Sequence, residues 1–343
     1  MYLCYKITFI FTIIGLFLSL GFSGCGDGSD ILSVERDSPQ VSKSGLSLNE
    51  TSPETTPSES SNSESSNIEE RPIRIGVLAI DSALSVHNRY APLVEHLSKT
   101  LGRSFELVPL TQERQFIAVE QGEIDFTSNN PLAAVQIQRL YNTEFLVTYS
   151  RPRLGAQFSA LIIVKSDSTI QTLEDLKGTK VACVDFETAA AGCLFQVYHL
   201  LQNNIDPFQD FSTFVENPSQ DNIVLAVLNG TLDAGFIRTG QLEKMLKNGL
   251  LTELSDIRIL EPVSDSSFAL KHTTILYPEW PIAALSDTDP ALKDAVQSAL
   301  LALPDGHSAL AAANVDGFVE AADYQSIHDL IEALQLKSWD VNL

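Results

Sequence analysis

The sequence predicts an α/β fold built from parallel-rich sheets that carry helices on both faces. From about residue 71 onward, apolar runs of strand length alternate with segments of helical periodicity, a pattern typical of parallel sheets. Residues 71–343 are also sufficient for two domains of ordinary size. No repeat period is apparent in the chain. We therefore expect an α/β architecture and not a repeat array.

The first part of this region alternates three strands with three helices. The predicted strands are residues 73–80, 104–110 and 124–128. The predicted helices are residues 91–101, 113–122 and 131–140. Leu93, Leu97 and Leu101 fall on one face of the first helix. Pro131 suits the first turn of the third helix, which makes Asn130 its expected N-cap.

The second part continues the alternation to the middle of the chain. Its predicted strands are residues 158–166, 180–186 and 232–238. Its predicted helices are residues 172–178, 189–201, 220–230 and 240–249. The apolar run Ile282–Leu285 predicts a further strand.

The N-terminus has the layout of a lipoprotein signal peptide. Lys6 precedes an apolar run, Ile7–Phe22, that is shorter than the ~20 residues of a membrane-spanning helix. Ser23, Gly24 and Cys25 then resemble a bacterial lipobox, so we expect a signal peptide over residues 1–24 and a lipid on Cys25. An uncleaved anchor is the alternative. Both place the rest of the chain outside the cytoplasmic membrane.

Residues 25–70 form a segment rich in Ser, Thr, Pro, Asn and Glu, with almost nothing that could be buried. This composition predicts a disordered acidic linker between the membrane and the folded region. The whole chain carries a formal net charge of −22, which argues against nucleic acid or an anionic surface as partner. A small anionic ligand remains compatible, because a local site can be positive within an acidic protein.

Four predicted strand–helix junctions carry polar or small residues suited to ligand binding. In such sheets ligands bind beyond the carboxyl ends of strands, where helix N-termini offer unpaired N–H groups to an anion. Each junction alone is explained by ordinary helix capping, but the four together indicate a cleft. The candidate residues are Asn129, Asn130, Thr188, Ala189, Ala190, Gln220, Asp221, Arg238 and Thr239.

Arg238 is the candidate for the charged contact with the ligand. It ends an apolar strand, and a guanidinium presents two donors that match two oxygens of an oxyanion. Arg151 and Arg153, beside the first expected connection, are its rivals, and Arg153 is kept as a candidate binding residue. The alternative for Arg238 is a salt bridge to a carboxylate such as Asp221 or Asp233.

A stiff aromatic corner precedes the last predicted strand. Pro278 and Pro281 restrain the backbone around Tyr277 and Trp280. We expect Tyr277 or Trp280 to face the ligand. The alternative is that the aromatic rings fill the core.

The segments RIGVLA, GEIDFTSNNPLAA, LIIVKSDSTIQTLEDLKGTKVACVD and LAVLNGTLDAG resemble the PhnD-like periplasmic binding proteins. That family serves phosphate, phosphite and phosphonate ABC transporters. The segments GFIRTGQLEKM and HTTILYPEWPIAAL are similar to PhnD-like sensor domains attached to histidine kinases of the tetrathionate-sensor type. The resemblance covers nearly all of residues 71–340.

This resemblance implies a two-lobe type 2 periplasmic binding protein, with a ligand clamped between lobes that two hinge strands join. The first lobe would comprise residues 71–155 and 262–343, and the second lobe residues 156–261. Together with the lipobox, the resemblance predicts a lipid-anchored protein that delivers a small oxyanion to an ABC permease. The alternative is a ligand-binding subunit that works with a membrane histidine kinase. We expect this protein to be a monomer.

The sequence departs from the phosphonate binders at two places. Thr188 is followed by Ala189, Ala190 and Ala191, where those proteins have a Ser/Thr-Ser-Gly run whose hydroxyls hold the phosphonate. Gln220 stands where a His often opens the next site segment. Backbone N–H donors survive these changes and hydroxyl donors do not. The sequence is therefore compatible with several oxyanions, and a sulfur oxyanion is one of them.

Other chemistry is not indicated by the sequence. The six histidines show no metal-ligand spacing such as HExxH, and neither a GxSxG motif nor a P-loop is present. We expect neither enzymatic activity nor a cofactor or metal. Cys183 and Cys193 flank Thr188, and an oxidising compartment allows a disulfide between them. Two unbonded buried thiols are the alternative.

Overall fold

The structure, a computed structural model, describes residues 71–80 and 82–336. The signal peptide, the lipidated Cys25 and the linker that the sequence predicts lie outside these residues. The described part contains a six-stranded sheet, a five-stranded sheet and a two-stranded ribbon, with helices packed on the sheets. This is the helix-flanked α/β fold that the sequence predicts.

The strands and helices are numbered in chain order. The strands are β1 (Ile73–Leu78), β2 (Phe105–Leu110), β3 (Phe126–Ser128), β4 (Glu144–Ser150), β5 (Gln157–Phe158), β6 (Ala160–Lys165), β7 (Lys180–Cys183), β8 (Thr213–Glu216), β9 (Ala234–Arg238), β10 (Ile257–Ile259), β11 (Tyr277–Pro278), β12 (Pro281–Ala284) and β13 (Gly317–Glu320). The helices are α1 (Ala83–Leu101), α2 (Gln112–Glu120), α3 (Pro131–Tyr141), α4 (Phe195–Gln202), α5 (Pro207–Asp210), α6 (Gln220–Leu228), α7 (Gln241–Lys247), α8 (Pro290–Leu301), α9 (Ser308–Ala313) and α10 (Gln325–Leu334).

Both sheets are mixed. The first sheet has the order β13-β4-β12-β3-β1-β2, and β1 runs parallel to β2 and β3. The second sheet has the order β10-β6-β9-β7-β8, and β7 runs parallel to β8 and β9. Antiparallel pairs appear where β12 lies between β3 and β4, and where β6 lies between β9 and β10. Fewer strand pairs are parallel than the alternation of strands and helices in the sequence predicts, because β6 and β12 are antiparallel to both of their neighbours.

Side-chain caps fix where the helices of the first sheet begin. Ser82, Thr111 and Asn130 each accept a hydrogen bond from a backbone N–H of the following turn. The Asn130 cap was expected from sequence. The first helix begins at Ala83, earlier than the expected residue 91, because Ser82 caps it and Pro92 is accommodated inside the helix.

Several strands and helices of the structure were not predicted from sequence. Strand β4 is buried from Leu146 to Tyr149 without a polar alternation, so no period-2 pattern marks it. The short strands β8, β10 and β13 and the helices α5 and α8–α10 were also not predicted. Two of these unpredicted strands, β4 and β13, pair at one side of the first sheet.

The ribbon connects the two sheets. In it β5 and β11 pair antiparallel, Tyr277 opposite Phe158. The family resemblance predicts the second boundary between residues 261 and 262. Beyond that boundary, the Thr273 N–H donates to the Ala160 carbonyl of β6 at 2.9 Å, and the Thr273 hydroxyl accepts from the Ile162 N–H at 3.1 Å. The chain therefore stays bound to the second sheet as far as Thr273, and the next strand that it forms is β11 in the ribbon.

Candidate ligand-binding site

The carboxyl ends of β7, β8 and β9 lie along one edge of the second sheet, because these three strands are parallel. A helical segment follows each of them. Residues 190–202 form a π-helical turn continued by α4, and α6 and α7 begin after β8 and β9. This edge therefore gathers the predicted site residues of the second sheet, which are Thr188, Ala189, Ala190, Gln220, Asp221, Arg238 and Thr239.

Two carboxylates accept hydrogen bonds from three backbone N–H groups and one hydroxyl of the β7 loop, residues 184–189. Oδ1 of Asp185 accepts hydrogen bonds from the N–H groups of Glu187 and Thr188, at 2.9 and 2.7 Å, and from the Thr188 hydroxyl at 2.8 Å. Oε1 of Glu216 accepts from the Phe186 N–H at 2.7 Å. The Thr188 hydroxyl, expected to face a ligand, is therefore committed to Asp185. The hydrogen bonds of Asp185 were not predicted from sequence, although an Asp three residues before a Thr is a typical local capping pattern.

The π-helical turn, Ala190–Leu194, follows the β7 loop and places main-chain N–H groups next to it. It runs without a break into α4, and the Leu194 N–H donates to the carbonyl of Ala189 at 3.0 Å. The first N–H groups of a helix have no partner within it and lie at the positive end of the helix dipole. Ala190 and Ala191 add only methyl groups. An anion bound here would therefore be held by main-chain donors.

A disulfide closes the segment that carries this turn. It joins Cys183, at the end of β7, to Cys193 in the π-helical turn, with 5.0 Å between the Cα atoms. Both residues are fully buried. The Val184 N–H also donates to the carbonyl of Gly192 at 3.0 Å. The chain around Thr188 is thus tied at its base by one covalent bond and one hydrogen bond.

Gln220 and Arg238 meet at the same edge. Oε1 of Gln220 accepts a hydrogen bond from the backbone N–H of Arg238 at 2.9 Å, and the Arg238 side chain is exposed. Oδ1 of Asp221 accepts from the amide of Gln241. Asp233 binds the Lys180 N–H at 2.8 Å, at the opposite end of β9. A salt bridge between Arg238 and Asp233 is therefore excluded by the length of the strand.

Thr239 does not present its hydroxyl to a ligand. Its side chain is 1% exposed, and Oγ1 donates to the Ser159 carbonyl at 2.9 Å while accepting from the Ser159 N–H at 3.0 Å. This exchange ties the end of β9 to the start of β6. In this structure the Thr239 hydroxyl, a predicted ligand contact, makes both of these hydrogen bonds to the backbone of Ser159.

On the first sheet, Asn129 and Asn130 follow β3 as expected, but their side chains are already engaged. The Asn129 amide donates to Oε1 of buried Gln115, and its Oδ1 accepts from the Asn130 N–H at 2.7 Å. Oδ1 of Asn130 caps α3 by accepting from the Ala133 N–H at 3.1 Å. Helix capping therefore accounts for the side chain of Asn130, whereas the side chain of Asn129 is held by Gln115 and by the Asn130 N–H.

The two rival arginines occupy different environments. Arg153 is exposed and lies in the turn after β4 with a φ of 67°. Arg151 is largely buried beside Glu279, with Nε 3.4 Å from Oε2. Burial lowers the pKa of Arg151, but the Glu279 carboxylate opposes this and the net pKa is raised. Arg151 is therefore held in an ion pair with Glu279.

Tyr277 fills the core between the sheets. Its ring is 1% exposed and stacks on Phe195 with 3.6 Å between centroids. Burial raises the pKa of its hydroxyl. Trp280 is half-buried and packs against the core of the first sheet. Thus Tyr277 takes the core position that the sequence analysis kept as the alternative, and Trp280 is the partly exposed ring of this corner.

Three comparisons place the chain among known proteins. A family model described as ABC transporter, phosphonate, periplasmic substrate-binding protein matches residues 75–325. The tetrathionate sensor histidine kinase TtrS of Salmonella typhimurium is 29% identical over 235 residues, which are 67% of this chain and 39% of the kinase. This chain thus spans well under half the length of that relative.

Among solved structures, PhnD1 of Prochlorococcus marinus in complex with methylphosphonate is similar with a TM-score of 0.61 and 17% identity. It covers 77% of this chain and 98% of its own. A Xanthomonas citri protein bound to ATP is similar with a TM-score of 0.63 and 19% identity, over 78% of this chain and 98% of its own. These two likenesses show the fold, and the family model matches most of the chain. The chain belongs to the family of periplasmic substrate-binding proteins of phosphonate ABC transporters.

Proposed function

We propose that this protein binds a small oxyanion between its two sheets and delivers it to an ABC transporter, while the lipid on Cys25 holds it at the membrane. The convergence of three helical N-termini at the carboxyl edge of the second sheet carries the proposal. Main-chain N–H groups at such ends favour anions without a bound metal. Arg238, at the same edge, adds the one arginine of the predicted set placed there.

The proposed mechanism is closure of two lobes around the ligand. The ribbon is the natural hinge, since it is where the chain passes between the sheets. The lobe boundaries expected from sequence are residues 71–155 with 262–343, and residues 156–261. The bonds of Thr273 to β6 favour placing the second boundary closer to β11. Hinge bending of this kind brings donors from both lobes onto one ligand.

The side chains around the π-helical turn indicate which protein groups would hold an oxyanion. Thr188 is bound to Asp185, and the next residues of the turn are alanines. We therefore propose an oxyanion held by backbone N–H groups and a guanidinium. Methylphosphonate, phosphate, phosphite and sulfur oxyanions all present the oxygens that such donors require.

A thermal-shift titration tests this function. Each oxyanion is added to the purified protein at constant ionic strength, with chloride as the control. A ligand at 100 times its Kd adds about 2.7 kcal/mol to the free energy of unfolding, so a true ligand should raise the Tm by several degrees. Small-angle scattering should show a smaller radius of gyration with that ligand. If no oxyanion exceeds chloride, the proposal is wrong.

A second candidate is a ligand-binding subunit for a sensor kinase, and the 29% identity to TtrS favours it. The two candidates share the ligand site and differ in the membrane partner. Reconstitution separates them. Stimulation of a permease ATPase by the ligand-loaded protein would support delivery, whereas a change in kinase autophosphorylation would support sensing.

A further inference from the structure

Gln196 is a fully buried glutamine directly behind the π-helical turn. It lies in the first turn of α4, and its Nε2 is 3.1 Å from the carbonyl oxygen of Leu161, 3.0 Å from that of Ala191 and 3.0 Å from that of Ile237. These carbonyls belong to β6, the π-helical turn and β9. One side chain therefore links the turn to two strands of the second sheet.

The orientation of this carboxamide is fixed by its surroundings. Reversing it would place Oε1 against three carbonyl oxygens, which are all acceptors. In the observed orientation, Oε1 of Gln196 has no hydrogen-bond partner among the described residues, although it is buried. A buried unpaired acceptor is unfavourable and requires an explanation. The three surrounding carbonyl oxygens therefore require an N–H donor from the side chain at position 196.

The contacts of Gln196 match the unusual geometry of the turn. Leu194 and Phe195 donate to carbonyls five residues back, those of Ala189 and Ala190. The next two carbonyls have partners of their own outside this pattern. Ala191 binds Nε2 of Gln196, and Gly192 binds the Val184 N–H. These contacts stabilise the wide turn, a kind of distortion that often occurs at functional sites.

We propose that Gln196 is a positioning residue that holds the N–H groups of the π-helical turn in place for the oxyanion. The proposal rests on the oxyanion site described above. Gln196 does not touch the ligand. It acts through the carbonyl of Ala191, while the anchoring carbonyls of Leu161 and Ile237 keep its own side chain fixed to the sheet.

The first test replaces Gln196 with methionine, which has similar volume but no amide. Affinity is measured by calorimetry for whichever of methylphosphonate, inorganic phosphate or sulfate most stabilises the wild type. We expect Gln196→Met to bind at least about tenfold more weakly, with exchange of the 190–194 amides accelerated in the free protein. Gln136→Met is the matched control, since Gln136 is 2% exposed and its Nε2 has no hydrogen-bond partner within residues 71–80 and 82–336. Its affinity should match that of the wild type.

The second test uses Gln196→Glu and the pH dependence of binding. A protonated carboxyl can still donate to one carbonyl, whereas an ionised one would face three carbonyl oxygens. The affinity of Gln196→Glu, divided by that of the wild type at each pH, should therefore rise as the pH falls. This readout serves even if Gln196→Met does not fold. Unchanged affinity of Gln196→Met, or a flat ratio for Gln196→Glu, would overturn the positioning role while leaving the proposed function intact. Failure of the wild type to bind any oxyanion of the thermal-shift series more strongly than chloride would overturn both.

Discussion

Arg151 and Glu279 form an ion pair between the two chain segments that connect the sheets. Their side chains are 15% and 5% exposed. The Arg151 guanidinium also lies over the ring of Tyr149, 5.0 Å from its centroid. The Glu279 N–H donates to the carbonyl of Ala156 at 2.9 Å. The pair thus fixes the turn that leaves the first sheet against the segment that returns to it.

Removing one partner of this pair should strongly destabilise the fold. Arg151→Met leaves the Glu279 carboxylate buried without its cation, and breaking a buried pair in this way costs about 3–5 kcal/mol. Urea unfolding of the variant measures the loss. Lys99→Met is the control, because the Lys99–Glu95 pair is 74% and 64% exposed and should contribute at most about 1 kcal/mol. Equal losses in the two variants would show that burial of the pair does not matter.

Arg238→Lys should weaken oxyanion binding about tenfold, equivalent to about 1.4 kcal/mol. The ammonium keeps the charge but cannot reproduce the paired donors of a guanidinium. Calorimetry with the oxyanion that stabilises the wild type measures the change. Arg153→Ala, at an exposed turn, should bind like the wild type. Normal binding by Arg238→Lys together with weak binding by Arg153→Ala would mean that the wrong arginine was chosen.

Gly235→Ala should destabilise the second sheet. A Cβ atom at this position in β9 would overlap Cγ2 of Ile223 and lie 3.2 Å from Cγ2 of Val227. Both neighbours are fully buried, and overpacking of this kind costs about 1–3 kcal/mol. Gly317→Ala is the matched strand control, because a Cβ there meets nothing within 4 Å. Chemical denaturation should show a loss for the first variant only.

The free energy of unfolding should fall as the pH drops through about 6.5, the usual pKa of histidine in an unfolded chain. Burial lowers the pKa of His199 in the folded protein, partly offset by Glu261, and burial also lowers those of His96 and His328. Below pH 6.5 the unfolded chain therefore binds more protons than the folded one, which favours unfolding.

Urea midpoints between pH 8 and pH 5.5 measure this dependence. His199→Gln removes one contributing ring, so its midpoint should fall less steeply than that of the wild type. His87→Gln, at an exposed histidine, is the matched control for the His→Gln substitution itself. A steeper slope for His199→Gln would contradict the direction assigned to this group.

Many helices and strands could be predicted from sequence, because capping residues and apolar runs indicate the same element at those places. Pro131 and Asn130 marked the start of α3, and the apolar runs of β1, β6 and β9 are buried strands. The site was less predictable. Thr188 is in the expected place, but its hydroxyl is bound to Asp185, and a sequence pattern cannot show which of two nearby acceptors a hydroxyl chooses. Tyr277 stacks on Phe195, a contact between distant parts of the chain that no local period encodes.

Helix α10 is the last helix of the described chain, and it completes the cluster that lies between the sheets. Its Ile327 and Leu330 belong to one buried cluster with Leu132 of α3, Phe195 of α4 and Tyr277. Both sheets could pair most of their strands before this helix is available. A chain emerging from the ribosome or a translocation channel must therefore release residues 325–334 before the junction becomes buried. Until that moment, the cluster around Phe195 and Tyr277 lacks the buried side chains of Ile327 and Leu330.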